Sequence, residues 1–294
     1  IDPADPEALT VEEQAVVDKL ILSFTSSQKL HQHIRFLFSA GSLYRIHDGN
    51  LLYHGCIAMN DDGSFRTFNV DGKSFAGKAF LDRVERLARQ GYFDTDHPAQ
   101  KRYGMDAMWF LWCAPMSPLF GKDQMTTFER YLIADKATHV EKRNAYYTLR
   151  DTEESARKIL QEFGLDPNRG IIINGHVPVK VAKGERPIKA NGRLMVIDGG
   201  FSRAYQKQTG IAGYTLISNS RGMLLAAHQP FESKQKAISE EFDIDSETEI
   251  IHTHPFRLRV RDTDRGREIQ EKIDALTALL NAYREGLIKE HVLE

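Results

Sequence analysis

Cysteine is nearly absent: Cys56 and Cys113 are the only two in 294 residues. Two cannot build a disulfide framework, and with no CxxC pair they outline no zinc site. Long apolar runs are missing as well. The longest lies around residues 108–116, far short of the roughly 20 residues a membrane span needs. No signal-peptide pattern opens the chain. An excess of one charge is also lacking, since 39 Lys and Arg face 41 Asp and Glu, for a net of -2. A chain this close to neutral has no general attraction to nucleic acid or to an anionic membrane, although a local basic patch can still hold phosphate. The G-x-x-x-x-G-K-[ST], G-x-G-x-x-G and G-x-S-x-G signatures do not occur. The expected location is the cytoplasm.

What is present is the material of a globular protein: 41% hydrophobic and 27% charged residues, enough for a packed core. The first residue is Ile1, and Ile1-Asp2-Pro3-Ala4-Asp5-Pro6 reads as a linker entering a helix, as though the chain began inside a longer protein. Thr10 with Glu13 fits a capping box, and Val16, Val17, Leu20, Ile21 and Phe24 then share a helical face. A second helix is expected over residues 33–38, ending near Gly41. Leu51-Leu52-Tyr53 is strand-like and closes on His54-Gly55. Helical spacing returns at Phe80, Val84, Leu87 and Ala88, with Gly91 past the end. Residues 105–113 are apolar all round and expected to be buried. Asp151 and Glu154 cap a helix running through Ile159, Leu160 and Phe163.

The character then changes. Ile171-Ile172-Ile173 is a β-branched strand ending in Asn174-Gly175-His176. Residues 194–197 form another, ending in Asp198-Gly199-Gly200. Strands are expected over 214–218, 222–227 and, less regularly, 249–260. A long helix closes the chain, with Asp264 as its N-cap and Ile269, Ile273, Leu276, Leu280 and Leu287 at helical spacing. Helices thus dominate about 75–168 and strands about 170–260.

Two segments share one design, an apolar strand that ends in a histidine beside a glycine: Leu52-Tyr53-His54-Gly55 and Ile173-Asn174-Gly175-His176. Strand ends open onto loop faces where sites gather, and neutral imidazole is a common ligand for manganese, iron or zinc. Each alone is also the pattern of an ordinary turn or a satisfied buried histidine. His252 and His254 are two apart on a strand and so share a side; they could chelate a metal or simply face water at an edge. Lys180, Lys183, Arg186, Lys189 and Arg193 form a basic run after His176 that suits a phosphorylated ligand or a solvated hairpin, and Arg203 and Lys207 extend it. Cys56 is either a thiol nucleophile or, more simply, a buried structural cysteine.

Several long strings carry a resemblance. They are Leu51-Leu52-Tyr53-His54-Gly55-Cys56-Ile57; the segment from Met108 through Ser117-Pro118-Leu119-Phe120-Gly121-Lys122-Asp123 to Phe128-Glu129-Arg130-Tyr131; Asn174-Gly175-His176-Val177-Pro178-Val179-Lys180; and Asp262-Thr263-Asp264 with Tyr283-Arg284-Glu285-Gly286-Leu287-Ile288-Lys289-Glu290. Together they resemble the class III fructose-1,6-bisphosphatases, a family similar to the calcineurin-like metallophosphoesterases. The resemblance implies an α/β fold, a four-layer α/β/β/α sandwich present here in incomplete form with the helical segment inserted. Residues 1–294 would be the C-terminal part of that domain.

It further implies a dinuclear centre, with manganese as cofactor and His54 and His176 as metal ligands. The superfamily's Asp-x-His, Gly-Asp-x-x-Asp and Gly-Asn-His-Asp/Glu motifs do not occur, so no catalytic residue is expected in this chain, and the chain alone is expected to be inactive. Expected partners are a sugar bisphosphate and the missing N-terminal half of the same protein, with no nucleic acid and no membrane; self-association into a homo-oligomer is left open. The implied reaction is hydrolysis of fructose 1,6-bisphosphate to fructose 6-phosphate, a step of gluconeogenesis, by hydroxide held between two metals. Lys180, Lys183 and Arg186 would hold the other phosphate. The alternatives are a non-catalytic domain that binds a phosphometabolite or regulates a partner, and another phosphoesterase of the same fold.

Overall fold

The computed structural model describes residues 4–5, 7–199, 202–241 and 246–288; most of the opening 1–6 segment and Gly200 lie outside the described residues. The chain divides into two compact units, 1–43 and 44–294. The first holds helices α1 (Val11–Thr25) and α2 (Gln28–Ala40). The capping box at α1 is formed: the Glu13 N–H donates to Thr10 Oγ1 at 3.2 Å and the Thr10 N–H to Glu13 Oε2 at 2.8 Å. Ser27 caps α2 with a single bond, accepting from the Leu30 N–H. Neither helix contains a buried residue, and Leu20, Ile21, Phe24, Phe36 and Leu37 are exposed.

The second unit is mixed α/β. It opens with the hairpin β1 (Tyr44–His47) and β2 (Asn50–Tyr53), then the small ribbon β3 (Phe68–Val70) and β4 (Lys73–Phe75). Five helices follow: α3 (Gly77–Phe93), α4 (Pro98–Cys113), α5 (Thr127–Leu132), α6 (Tyr146–Leu149) and α7 (Glu153–Glu162). Then come β5 (Ile172–Asn174), β6 (Ile188–Lys189), β7 (Leu194–Val196), α8 (Arg203–Thr209), β8 (Gly213–Asn219), β9 (Gly222–His228), α9 (Lys234–Ser239), β10 (Ser246–Thr253) and α10 (Asp264–Arg284). The described residues hold ten α-helices in all. None is long and apolar enough to cross a membrane.

The main sheet has five strands in the order β1-β2-β5-β7-β6. Its three central strands are parallel, and its two edges are antiparallel. A parallel sheet is covered on both faces, so its strands read as unbroken apolar runs. That explains why the three-residue β5 and β7 are wholly buried, with Ile172, Leu194, Met195 and Val196 fully excluded from water. β8, β9 and β10 form a second, antiparallel sheet. β10 is shorter than the 249–260 segment expected, because Pro255 has no N–H to continue a ladder. Its start, at Ser246, is also earlier.

Helix ends follow from local chemistry. Thr152, not Asp151, caps α7 by accepting from the Ser155 N–H, and Asp151 instead pairs with Lys189. Thr263, not Asp264, caps α10 by accepting from the Gly266 N–H. Asp264 is thereby freed to form a reciprocal clasp with the β1–β2 turn. Its Oδ2 accepts from the Asp48 N–H at 2.6 Å, and its own N–H donates to Asp48 Oδ1 at 2.7 Å.

The expectation of a buried 105–113 segment fails. In α4 only Gly104 and Leu111 are buried, while Met105, Met108, Trp109 and Trp112 are exposed. A helix apolar on every side leaves one side bare when a single stripe is covered. That stripe packs on α3, whose Phe80, Leu81, Val84, Leu87 and Ala88 are buried at helical spacing. The two backbones meet at Gly91 and Gly104, where a Cβ on either would strike the other's main chain.

Candidate metal and phosphate site

The parallel pairing of β2 with β5 sets Tyr53 opposite Asn174. Both strands leave the sheet at the same end immediately afterwards, β2 into His54 and β5 into Gly175-His176. The carboxyl ends of parallel strands are where open α/β sheets place their ligands. The Gly175 N–H donates to the His54 carbonyl at 3.2 Å, and the Val177 N–H closes a three-residue turn on the Gly175 carbonyl at 2.8 Å. His176 at the centre of that turn has φ +69, a conformation costly for a non-glycine residue and held only where its surroundings enforce it.

Asn174 ties the two strand ends together. Its Nδ2 lies 3.3, 3.0 and 2.8 Å from the carbonyl oxygens of Tyr53, His54 and Gly55. Its Oδ1 accepts from the buried Arg150 guanidinium at 2.7 Å. Gly55 is required because a Cβ there would collide with the Pro118 carbonyl, the same oxygen that accepts from the Cys56 N–H at 2.7 Å. In this way the 115–123 loop is packed onto the His54-Gly55 turn.

The two imidazoles meet. His176 Nδ1 is 3.3 Å from His54 Nε2, with the rings nearly perpendicular at 81°. Burial is the main cause that lowers the His176 pKa, and the facing His54 adds to it. The ring therefore stands neutral, with a lone pair to offer. Two nitrogens bound about 2.0–2.2 Å from one ion sit roughly 3.0–3.5 Å apart, so this donor pair fits one edge of a metal's coordination sphere. Among the described residues no carboxylate or thiolate joins it at ligand spacing.

Beside His176 lies a pocket of about 210 Å³, lined also by Phe120, Lys122, Arg143, Tyr147, Val177 and Pro178. Lys122 and Arg143 are neighbours across a backbone bridge between their loops. Lys122 Nζ pairs with Glu141 at 2.6 Å. Burial works to raise the Glu141 pKa, but bonds from Lys122 and Thr126 outweigh it and bring the carboxyl down to about 2. The Arg143 guanidinium lies over the Tyr147 ring, 5.8 Å from its centroid. It makes no ion pair with any described residue.

The other candidates from the sequence lie elsewhere. Lys180, Lys183 and Arg186 are not among the residues lining the pocket. Arg186 turns to Glu249 at 2.8 Å, Lys183 is exposed on a single 3-10 turn, and Lys180 is half-buried. Lys189 is engaged by Asp151 and Glu185. Lys207 is exposed on α8, and the side chain of Arg203 lies outside the described residues. His252 and His254 stand with ring centroids 5.0 Å apart, without a third donor among the described residues. Burial pushes the Cys56 thiol up to about 12, which removes it as a nucleophile at neutral pH. One three-member group of potential ligands does converge among the described residues: His47, Asp48 and Asp264, within 4.8 Å. Its carboxylates are already occupied in the clasp, and Asp264 also pairs with Arg267.

Sequence reasoning missed Lys122, Arg143, Asn174 and Arg150 as parts of this region. Lys122 and Asn174 do stand inside the strings that carry the family resemblance. Arg143 and Arg150 lie in no recognisable pattern.

A family model described as Firmicute fructose-1,6-bisphosphatase matches residues 1–285. A protein of Clostridium tetani named fructose-1,6-bisphosphatase class 3 is 56% identical over 292 residues, which covers 99% of this chain and 44% of that protein. Proteins of the same name from Alkaliphilus metalliredigens and Clostridioides difficile are 56% and 55% identical, with the same coverage of 99% and 44%. The chain thus spans less than half the length of these relatives. No solved structure matches. With the family match running over residues 1–285, the expectation of an inactive chain with an incomplete site is withdrawn.

Proposed function

Since this chain belongs to the Firmicute fructose-1,6-bisphosphatase family, we propose that the protein hydrolyses fructose 1,6-bisphosphate to fructose 6-phosphate and phosphate, with His54 and His176 as metal ligands. The observation that carries this reading is the 3.3 Å approach of two ring nitrogens at the carboxyl ends of adjacent parallel strands. Manganese is the metal we assign; bound there, it would act as a Lewis acid on a phosphoryl oxygen and acidify water. The chain's own residues supply placement. Burial keeps His176 neutral and able to donate its lone pair. Arg150 holds Asn174, and Asn174 holds the backbone on both sides of His54. Lys180 and Lys183, on the loop after His176, add positive charge for an anionic substrate, and Arg186 beside them would do so on leaving Glu249.

The architecture we assign to the whole protein is the four-layer metallophosphoesterase sandwich, in which the five-stranded sheet is one of the two inner layers. The cytoplasm is the location we assign. The reading is tested by phosphate release from fructose 1,6-bisphosphate by the full-length protein with manganese, for the wild type and for H54A and H176A. Each substitution is expected to lower kcat/KM by on the order of 100-fold or more, with weaker manganese binding by calorimetry. Wild-type turnover of other phosphate esters but not of this one would reject the substrate. Full activity in H176A would reject the metal role.

A further inference from the structure

Resting on that reading, we propose that Arg143, with Lys122 beside it, holds the phosphate of the sugar bisphosphate that is not cleaved. The pocket shares its wall with His176, so a ligand filling it has its other end beside the histidine pair. Sites for drug-sized molecules run to roughly 300–1,000 Å³. A space of about 210 Å³ therefore admits one end of a bisphosphate and leaves the rest to lie toward the histidines. Its lining divides by chemistry: Lys122 and Arg143 are cationic, while Phe120, Val177 and Pro178 are apolar.

The two cations are not equivalent. Lys122 is held by Glu141 at 2.6 Å, and the pair is close to neutral from the pocket's side. Arg143 is exposed and makes no ion pair with any described residue. The Tyr147 ring lies beneath it, its centroid 5.8 Å from the guanidinium carbon. A planar, always-charged fork is suited to two oxygens of one phosphate. Lys180 and Lys183 do not line this space, and Arg186 has its own carboxylate.

The loops that build the pocket are fixed, so the cation's place does not depend on a ligand. The Asn144 N–H donates to the Gly121 carbonyl at 2.9 Å, and Asn144 Oδ1 accepts from the N–H groups of both Met59 and Tyr146. Gly121 has φ +64, and a Cβ there would press on the Tyr147 ring and hydroxyl. This close seat holds the ring on which Arg143 rests.

The test compares R143A, R143K and the K180A/K183A double variant of the full-length enzyme on two substrates, fructose 1,6-bisphosphate and the single-phosphate ester p-nitrophenyl phosphate. Arg143 is exposed, so its truncation leaves the core intact. Losing a hydrogen-bonded charge at a phosphate lowers binding by roughly 10- to 100-fold. In R143A kcat/KM should therefore fall at least tenfold more on the bisphosphate than on the monoester, through KM, with partial recovery in R143K. A loss equal on both substrates, or a larger selective loss in K180A/K183A than in R143A, overturns the inference. Should the wild type leave fructose 1,6-bisphosphate intact, the substrate reading fails alone. Calorimetry with inorganic phosphate then decides the pocket: at least tenfold weaker binding by R143A supports it, and equal binding overturns it.

Discussion

The carboxamide of Asn174 joins the two histidine-bearing strand ends. Its Nδ2 serves the carbonyls of residues 53–55 and its Oδ1 accepts from the buried Arg150 guanidinium. N174A withdraws the Asn174 bonds from all of these groups at once, leaving the His54 carbonyl with the Gly175 N–H and Arg150 with Asp151 at 3.7 Å. Leaving buried polar groups and a buried charge short of partners costs roughly 2–5 kcal/mol, and urea unfolding should show a loss of that size. N174D keeps a partner for Arg150 but sets a carboxylate against carbonyl oxygens. It should retain more stability than N174A yet bind manganese about 10- to 100-fold more weakly, as supporting groups of metal ligands do. Unfolding of N174A within about 0.5 kcal/mol of the wild type would remove the latch. At this scale the sequence was half legible. A histidine beside a glycine at a strand end is a local pattern and could be read for His54 and His176. Arg143 and Arg150 lie in a helix-and-loop stretch whose role is set by what it packs against.

Among the elements, α3 and α4 show how tertiary contact overrides propensity. Alanine at an exposed helical position is more favourable than glycine by up to about 1 kcal/mol. At Gly91 and Gly104 the sign should reverse, because the added methyl meets the partner helix's backbone. G91A is expected to lose roughly 1–3 kcal/mol through overpacking, read as a lower thermal midpoint. A raised midpoint would show that the helices separate freely. The sequence placed Gly91 just past the end of α3, as a stop signal; it lies inside the helix, which runs on to Phe93. The same glycine can end a helix or let another helix approach, and only the neighbour decides which.

For the molecule as a whole, acid stability is the property most directly tied to the loops that carry the pocket. Glu141 joins Lys122, Thr126 and Arg130, and its carboxyl is brought from the ordinary 4.5 down to about 2. Folding therefore holds it ionised where the unfolded chain would take up a proton. Its contribution is complete above about pH 4.5 and is lost progressively as pH falls toward 2. In E141Q the denaturation midpoint should be lower than in the wild type at pH 6, and the gap should narrow at pH 3. Midpoint-against-pH curves that run parallel from pH 6 to pH 3 would show that the carboxylate contributes nothing through its charge.

Sequence alone determined the longer, strongly periodic elements, α1, α3, α7 and α10 with β2, β5, β7, β8 and β9, and where the two histidine-bearing strands end; it offered no reading for β1, β3, β4, α5, α6, α8 or α9. The strings shared with a known family were legible there too. These are matters of period, capping and turn chemistry, decided within a few residues. Only tertiary structure decided that β2 and β5 lie side by side in register, that Arg186 faces Glu249, and that Lys122 and Arg143 border His176. Those outcomes depend on which distant surfaces exclude water together, and no pattern along the chain encodes the position of a side chain relative to a loop about 30 or more residues away.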